Sequence, residues 1–217
     1  WSFENSKHLS TGDGGIVVTN NEEIATKMRQ FGGVGYKNTN AESGKVRISR
    51  DQFQDPDWKR FNIMAYNYRM PELCAAVGLA QCERLEEFVN LRVRMADDYL
   101  EVLKENDDFL VPAQIQNGYK NSYYTFPARF IGKNKGINWQ DFRKKYIEFG
   151  GDGIYAALQV LYNEPAFYEN KIGYGKAPIA EKLQKELMLF TTNQKDENER
   201  KIQQNALIKT LKFFKEK

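Results

Sequence analysis

Residues 1–19 read WSFENSKHLSTGDGGIVVT. One lysine, Lys7, stands between an apolar and hydroxyl-bearing start and a glycine-rich turn, Gly12 to Gly15. That turn runs straight into the β-branched residues Ile16, Val17 and Val18. Most other lysines of the chain sit in charged stretches. Glycines let a backbone bend tightly or approach a ligand closely, and a lysine on a turn at a strand end can project into a cleft. Lysine becomes a nucleophile or imine former when its neutral amine is accessible, which burial or neighbouring charge favours. With the Ser2 hydroxyl before it and the N–H groups of the turn after it, Lys7 suits a phosphorylated carbonyl compound. One end would be held as an anion while the other reacts as an imine. The residues alone leave a solvated loop lysine as the alternative.

Working outward, residues 14–19 predict a short buried strand. Asn20 to Glu23 then open a helix with acids in its first turn. It carries Ile24, Met28 and Phe31 on one side and stops at Gly32-Gly33. Residues 32–62 hold no period and include the charged run KVRISRD (45–51); a loop of this length reads as a substrate-side or subunit-interface loop. In residues 71–105, Leu73, Val77, Ala80, Arg84, Phe88, Leu91, Met95 and Tyr99 fall at steps of three or four, a stripe that is apolar but for Arg84. One amphipathic helix of about 30 residues is expected, with Pro71 at its first position, long enough to bridge two domains or two subunits. The stripe lacks the 3.5-residue period and charged flanks of a coiled coil.

Beyond residue 108 the pattern changes. YKNSYYTFPARFI (119–131) alternates like a strand of an α+β layer. Residues 138–149 predict a helix capped by Asn138, residues 150–162 a turn and a strand, and residues 178–187 and 196–215 two more helices. The expected division is 1–90 and 91–217.

With 217 residues, 41% of them hydrophobic and 28% charged, the composition is that of a globular protein with a real core. A net charge of +3 gives no warrant for a nucleic-acid or membrane-surface partner. No apolar run approaches the roughly 20 residues of a membrane span, and no segment reads as a signal peptide. Cys74 and Cys82 lie about 12 Å apart along a helix, too far to bridge. They read as free core cysteines of a reducing cytoplasm. The lone His8 leaves no cysteine–histidine set for zinc, so no metal is expected. Because the chain opens at Trp1 on a turn and strand with nothing before them to pair against, it reads as the C-terminal part of a longer protein. A processed mature start is the alternative.

A second block, YNYRMPELCAAVGLAQCERL (66–85), follows the first by about 50 residues. Together, S-F-x-x-x-K, T-G-D-G-G-x-x-x-T and this block resemble the DegT/DnrJ/EryC1/StrS sugar aminotransferases. Those are pyridoxal-phosphate enzymes of fold type I. The resemblance implies an α/β chain: a remnant of the large cofactor-binding domain, a long bridging helix and a small α+β C-terminal domain. It implies that Lys7 holds the cofactor covalently and then moves the proton between substrate and cofactor. Ser2 would donate a hydrogen bond to the cofactor phosphate, and Asn67 would reach the phosphate of the neighbouring subunit's cofactor, so that a homodimer shares its sites. Without the resemblance, Asn67 reads as the residue that holds the turn before Pro71. Arg69 is expected to pin its segment by an ion pair. His8 and Tyr155 are candidate substrate contacts.

The family's acid for the ring nitrogen, its stacking aromatic and its phosphate loop lie upstream of the lysine. This polypeptide alone is therefore expected to bind the cofactor poorly and to be inactive. Many relatives acting on nucleotide-linked hexoses carry G-I-x-x-x-x-H-Y-x-P-x-H in the C-terminal part. Here that stretch reads GGDGIYAALQVLYNEPAFY, with Tyr155, Gln159, Tyr162 and Glu164 in the neighbourhood of the missing histidines. The expected acceptor is accordingly a 3-deoxy-octulosonate of a lipopolysaccharide sugar, with glutamate as amino donor; a nucleotide-linked keto-hexose is the alternative. Two other readings compete. A sugar dehydratase of the same family would replace the lysine by histidine, which Lys7 argues against. A non-catalytic dimerisation fragment would leave Lys7 incidental.

Overall fold

The computed structural model describes residues 1–43, 48–106, 108–173 and 175–216. The chain forms two compact units, Trp1–Leu85 and Glu86–Lys217.

In the first unit, helix α1 (Glu22–Gly32) starts where its sequence says it should. Asn21 is the N-cap, its Oδ1 accepting the Ile24 N–H at 2.9 Å, with Glu22 and Glu23 in the first turn. The last carbonyls of α1 are taken up by an extended segment: the Tyr66 N–H donates to Phe31 O at 2.9 Å and the Tyr68 N–H to Gly32 O at 2.7 Å. The described parts of 32–62 are more regular than their lack of period implies. A turn at Val34 (φ 69°) and Gly35 (φ 84°) packs so closely that a Cβ on Gly35 would lie 2.3 Å from Ile63 O. Helix α2 (Arg50–Gln54) follows, capped by Ser49. The first three residues of the expected KVRISRD run, 45–47, lie outside the described residues.

The predicted strand at 14–19 does not form as a strand. Ser2 and Gly15 make a single antiparallel bridge, and beyond Ile16 the segment has no ladder among the described residues, with Val17 67% and Val18 61% exposed. A β-branched run favours extended backbone, but a strand exists only where a neighbour accepts its hydrogen bonds.

The predicted long helix is two helices, α3 (Glu72–Glu83) and α4 (Leu85–Lys104), interrupted at Arg84 (φ −107°, ψ 8°). There the Arg84 N–H bonds to Gln81 O, three residues back. Pro71 is the N-cap of α3 and not its first helical residue. The apolar stripe likewise has two fates. Leu73 and Val77 on α3 are exposed, whereas Met95 and Tyr99 on α4 are fully buried. Cys74 is half-buried and Cys82 exposed, so neither is a core residue; both are free thiols on a helix with no buried residue.

The second unit is an α+β layer pair. Strands β1 (Leu110–Pro112), β2 (Phe126–Phe130), β3 (Ile154–Ala156) and β4 (Leu187–Phe190) form an all-antiparallel sheet in the order β1-β2-β4-β3. Phe126 and Ile154 both stand opposite Phe190. Alternation buries one face, Leu110, Phe126, Ala128, Phe130 and Ile154 included, and leaves Arg129 and Tyr155 outside. Helix α4 covers that face together with α5 (Trp139–Glu148) and α8 (Glu197–Lys215), which supply Phe142, Tyr146, Leu207, Leu211 and Phe214 to one core. Asn138 caps α5 as the sequence predicts.

Two predicted strands are shorter than expected, each for a backbone reason. Asn121 Oδ1 accepts the Tyr123 N–H and Tyr123 adopts φ 47°, a turn that delays β2 to Phe126. Gly153 at φ 115° delays β3 to Ile154, and a short 3-10 turn takes over at Leu161. After the small helix α6 (Pro165–Tyr168), helix α7 (Pro178–Gln184) ends before Leu187-Met188-Leu189-Phe190. The predicted helix over 178–187 merges that helix with the start of β4, because Gln184-Lys185-Glu186 between them hold no glycine or proline to mark the stop.

A buried polar network runs through this core. The Tyr99 and Tyr146 hydroxyls lie 3.2 Å apart, and Gln194 Nε2 donates to Asp152 Oδ2 at 2.8 Å. Arg200 Nε and Asp98 Oδ2 pair at 2.9 Å and tie α8 to α4. Among the described residues no helix is long and apolar enough to cross a membrane.

Candidate functional site

The first unit folds residues 1–16 into a closed loop. Its ends are zipped by Trp1 and Ile16, which exchange both backbone hydrogen bonds at 2.7 and 2.9 Å, and by the Phe3 N–H on Gly14 O at 2.8 Å. The Thr11 N–H also closes onto Phe3 O at 3.0 Å. Lys7 and His8 lie in the arc between, both half-buried, and Leu9 is the apolar anchor beside them. The Lys7 N–H donates to Glu4 O at 3.0 Å, so the lysine sits on a turn begun by Glu4. The Glu4 carboxylate accepts the Ser6 hydroxyl and the Ser6 N–H; these bonds, with the Lys7 charge nearby, hold its pKa below the usual value. Ser2 is exposed, and its Oγ accepts the Glu4 N–H at 3.3 Å, which leaves its own hydroxyl hydrogen available to donate.

The glycine turn is not the open anion cradle that the sequence suggests. The Gly12 N–H is taken by Ser10 Oγ and the Gly14 N–H by Asp13 Oδ1, both at 3.0 Å. Hydroxyl and carboxylate side chains next to a tight turn compete for its N–H groups. The glycines serve close packing. A Cβ on Gly14 (φ 147°) would meet Thr11 Oγ1 at 2.8 Å and Met70 Cε at 2.9 Å; one on Gly78 would meet Thr11 Cγ2 at 3.0 Å. The loop that carries Lys7 thus lies against the segment that carries Asn67 and against α3.

In that second segment the side chains alternate. Tyr66 and Tyr68 stack on each other at 5.2 Å with planes 8° apart, and Phe31 of α1 meets both edge-on. Asn67, bridged to Gly33, and Arg69 are the intervening polar pair, both exposed. Among the described residues Arg69 makes no ion pair that would pin the segment. Its Nε donates to Asn67 Oδ1 at 2.9 Å. The sequence reading missed this contact; two polar residues spaced i, i+2 on an extended stretch are the signal that could have shown it.

Tyr155 belongs to the second unit. It lies on β3 opposite Leu189 and is 64% exposed. Tyr162 is turned inward, its hydroxyl donating to Glu181 Oε1 at 2.5 Å. A groove of about 1420 Å³ in the first unit runs between residues 13–19, α1 and residues 68–71; Val17, Met28 and Phe31 line it and Lys7 does not. Among the described residues no group of histidine, cysteine and acids stands ready for a metal. On the closed loop Ser2 offers a hydroxyl donor and Lys7 an amine, the chemistry that a phosphorylated aldehyde asks for.

The model of the DegT/DnrJ/EryC1/StrS aminotransferase family matches residues 1–203. The GDP-perosamine synthase of Escherichia coli O157:H7 is 32% identical over 185 residues, 84% of this chain and 43% of that protein. An aminotransferase structure from Psychrobacter cryohalolentis superposes with a TM-score of 0.79 at 21% identity, over 95% of this chain and 54% of that one. The Escherichia coli GDP-4-keto-6-deoxy-D-mannose-3-dehydratase, solved with bound hydrated pyridoxal phosphate, gives 0.75 at 21% identity, over 95% and 53%. The fold is that of the fold type I transferases over about half their length, and the chain spans about half the length of the relatives it matches. The octulosonate expectation finds no support in these relatives, two of whose names carry GDP-linked sugars.

Proposed function

We propose, from the fact that this chain belongs to the DegT/DnrJ/EryC1/StrS aminotransferase family, that it is the lysine-bearing part of an enzyme that aminates a nucleotide-linked keto-hexose at the expense of an amino acid, by family habit glutamate. Pyridoxal phosphate is the cofactor of that family. The acceptor class is supported by the GDP-perosamine synthase likeness over 84% of the chain. The observation that carries the reading is the closed loop of residues 1–16, with Ser2 at its zipped base and Lys7 in its arc. The domain division at about residue 90, the homodimer and the shared site belong to the same proposal.

Each residue then has a defined task. Lys7 supplies the amine that holds the cofactor's aldehyde carbon. Once free of the cofactor, its neutral amine would stand beside the proton to be moved, which is where a general base has to stand. Ser2 gives its hydroxyl hydrogen to a phosphate oxygen, and Asn67 gives an amide hydrogen to a phosphate held by the neighbouring subunit. His8, next to Lys7, and Tyr155 on the outer face of β3 are the candidate sugar contacts. When bound, pyridoxal phosphate supplies an electron sink for the charge released as the α-proton leaves.

The test is spectroscopic. The full-length protein mixed with pyridoxal phosphate should develop a visible imine band that borohydride makes permanent, and Lys7→Ala should abolish it. A full-length protein that shows no band would remove the enzyme reading and favour an interaction role for the chain.

A further inference from the structure

We propose that Arg69 is a positioning residue that turns the Asn67 amide, so that its Nδ2 hydrogens and not its oxygen are presented to a phosphate. The inference rests on the reading of Asn67 as a phosphate contact and goes one step past it. A free asparagine side chain offers either end of its amide. The oxygen end would repel a phosphate; the nitrogen end binds it. Something must choose.

The geometry supplies the choice. The backbone on either side of Asn67 is fixed by the Tyr66 and Tyr68 N–H groups on the last carbonyls of α1, at 2.9 and 2.7 Å. Tyr66, Tyr68 and Phe31 make one ring cluster, and strand-like alternation puts Asn67 and Arg69 on the other side. Arg69 Nε lies 2.9 Å from Asn67 Oδ1. A guanidinium only donates, so the amide atom it touches must be the oxygen. That contact settles the orientation of the amide. A residue at position 69 that cannot donate would leave the amide free to turn.

The experiment uses the full-length enzyme and titrates pyridoxal phosphate, following the visible band for affinity and the 31P shift of the bound phosphate for its contacts. Arg69→Met and Asn67→Ala should each weaken binding by about tenfold, the scale of one hydrogen bond to a charged group. The double variant should be no weaker than Asn67→Ala alone, because Arg69 acts only through that amide. Arg69→Gln, whose own amide can still donate to Asn67 Oδ1, should recover most of the affinity and the native 31P shift, and it covers the case in which Arg69→Met folds poorly. Losses that add in the double variant, or an Arg69→Met protein with native affinity and native 31P shift, would overturn the proposal while the cofactor reading stands. A wild-type protein with no visible band would bring down both.

Discussion

The Tyr146 hydroxyl donates to Gln203 Oε1 at 2.7 Å, and the same oxygen accepts the Asp152 N–H at 2.8 Å. One amide oxygen thereby joins α5, α8 and the turn before β3 inside an otherwise apolar core. A buried acceptor that loses a partner keeps its full desolvation cost. Tyr146→Phe should therefore lower stability by about 1–2 kcal/mol, read as a lower urea midpoint with an unchanged slope.

Burial raises the phenol pKa of both Tyr99 and Tyr146 above the ordinary 10.0. Below that value the folded and unfolded chains both keep these protons. Above it the unfolded chain releases them and the folded chain does not, so stability falls as pH rises, by up to roughly 2.7 kcal/mol per pH unit for two protons. Thermal melts taken through the alkaline range should show this decline, and the Tyr99→Phe/Tyr146→Phe double variant should flatten it. An equally steep decline in that variant would assign alkaline unfolding to the lysines.

Gly14 has no room for a side chain, at φ 147° and with Met70 Cε 2.9 Å from where a Cβ would stand. Gly14→Ala should push Met70 and Thr11 apart and cost about 1–3 kcal/mol, as overpacking does. Because Gly14 O accepts the Phe3 N–H at the loop's base, the full-length variant should also bind pyridoxal phosphate more weakly. Gly118→Ala, at another positive φ (85°) but with open space around it, is the control that leaves binding unchanged.

Asn138 caps α5 twice over: its Oδ1 accepts the Asp141 N–H and its Nδ2 donates to Asp141 Oδ2, both at 2.8 Å. Asn138→Ala should cost about 1 kcal/mol, and Asn138→Ser much less. Amide exchange in the first turn of α5 would report the same loss locally.

The helices α1, α5 and α8 were legible because each announces itself within one stretch of chain. Asn21 and Asn138 are caps that act on residues three positions on, and Asp196 caps α8 likewise through the Glu199 N–H. The strands were less legible because their bonds are made elsewhere. Val17 and Val18 have the composition of a strand and no ladder partner among the described residues, whereas Leu187 to Phe190 are a strand only because β2 and β3 flank them. The break at Arg84 carries no glycine or proline to announce it. At the candidate site, composition and spacing pointed to Lys7 only weakly; the resemblance of two blocks gave it and Asn67 their roles. Arg69 was misread because charge suggested an acidic partner, and the nearer polar atom was an amide oxygen.

The pairing order of the second unit has a consequence for how the chain is made. β2 finds its central neighbour, β4, some 60 residues later, and the α8 side chains Leu207, Leu211 and Phe214 follow later still. A ribosome must release the chain as far as β4 before this sheet can close, so translation leaves Phe126 and Phe130 waiting in water. A stop codon ahead of α8 would strand the nascent unit in that condition, which makes proteolysis or chaperone capture its expected fate.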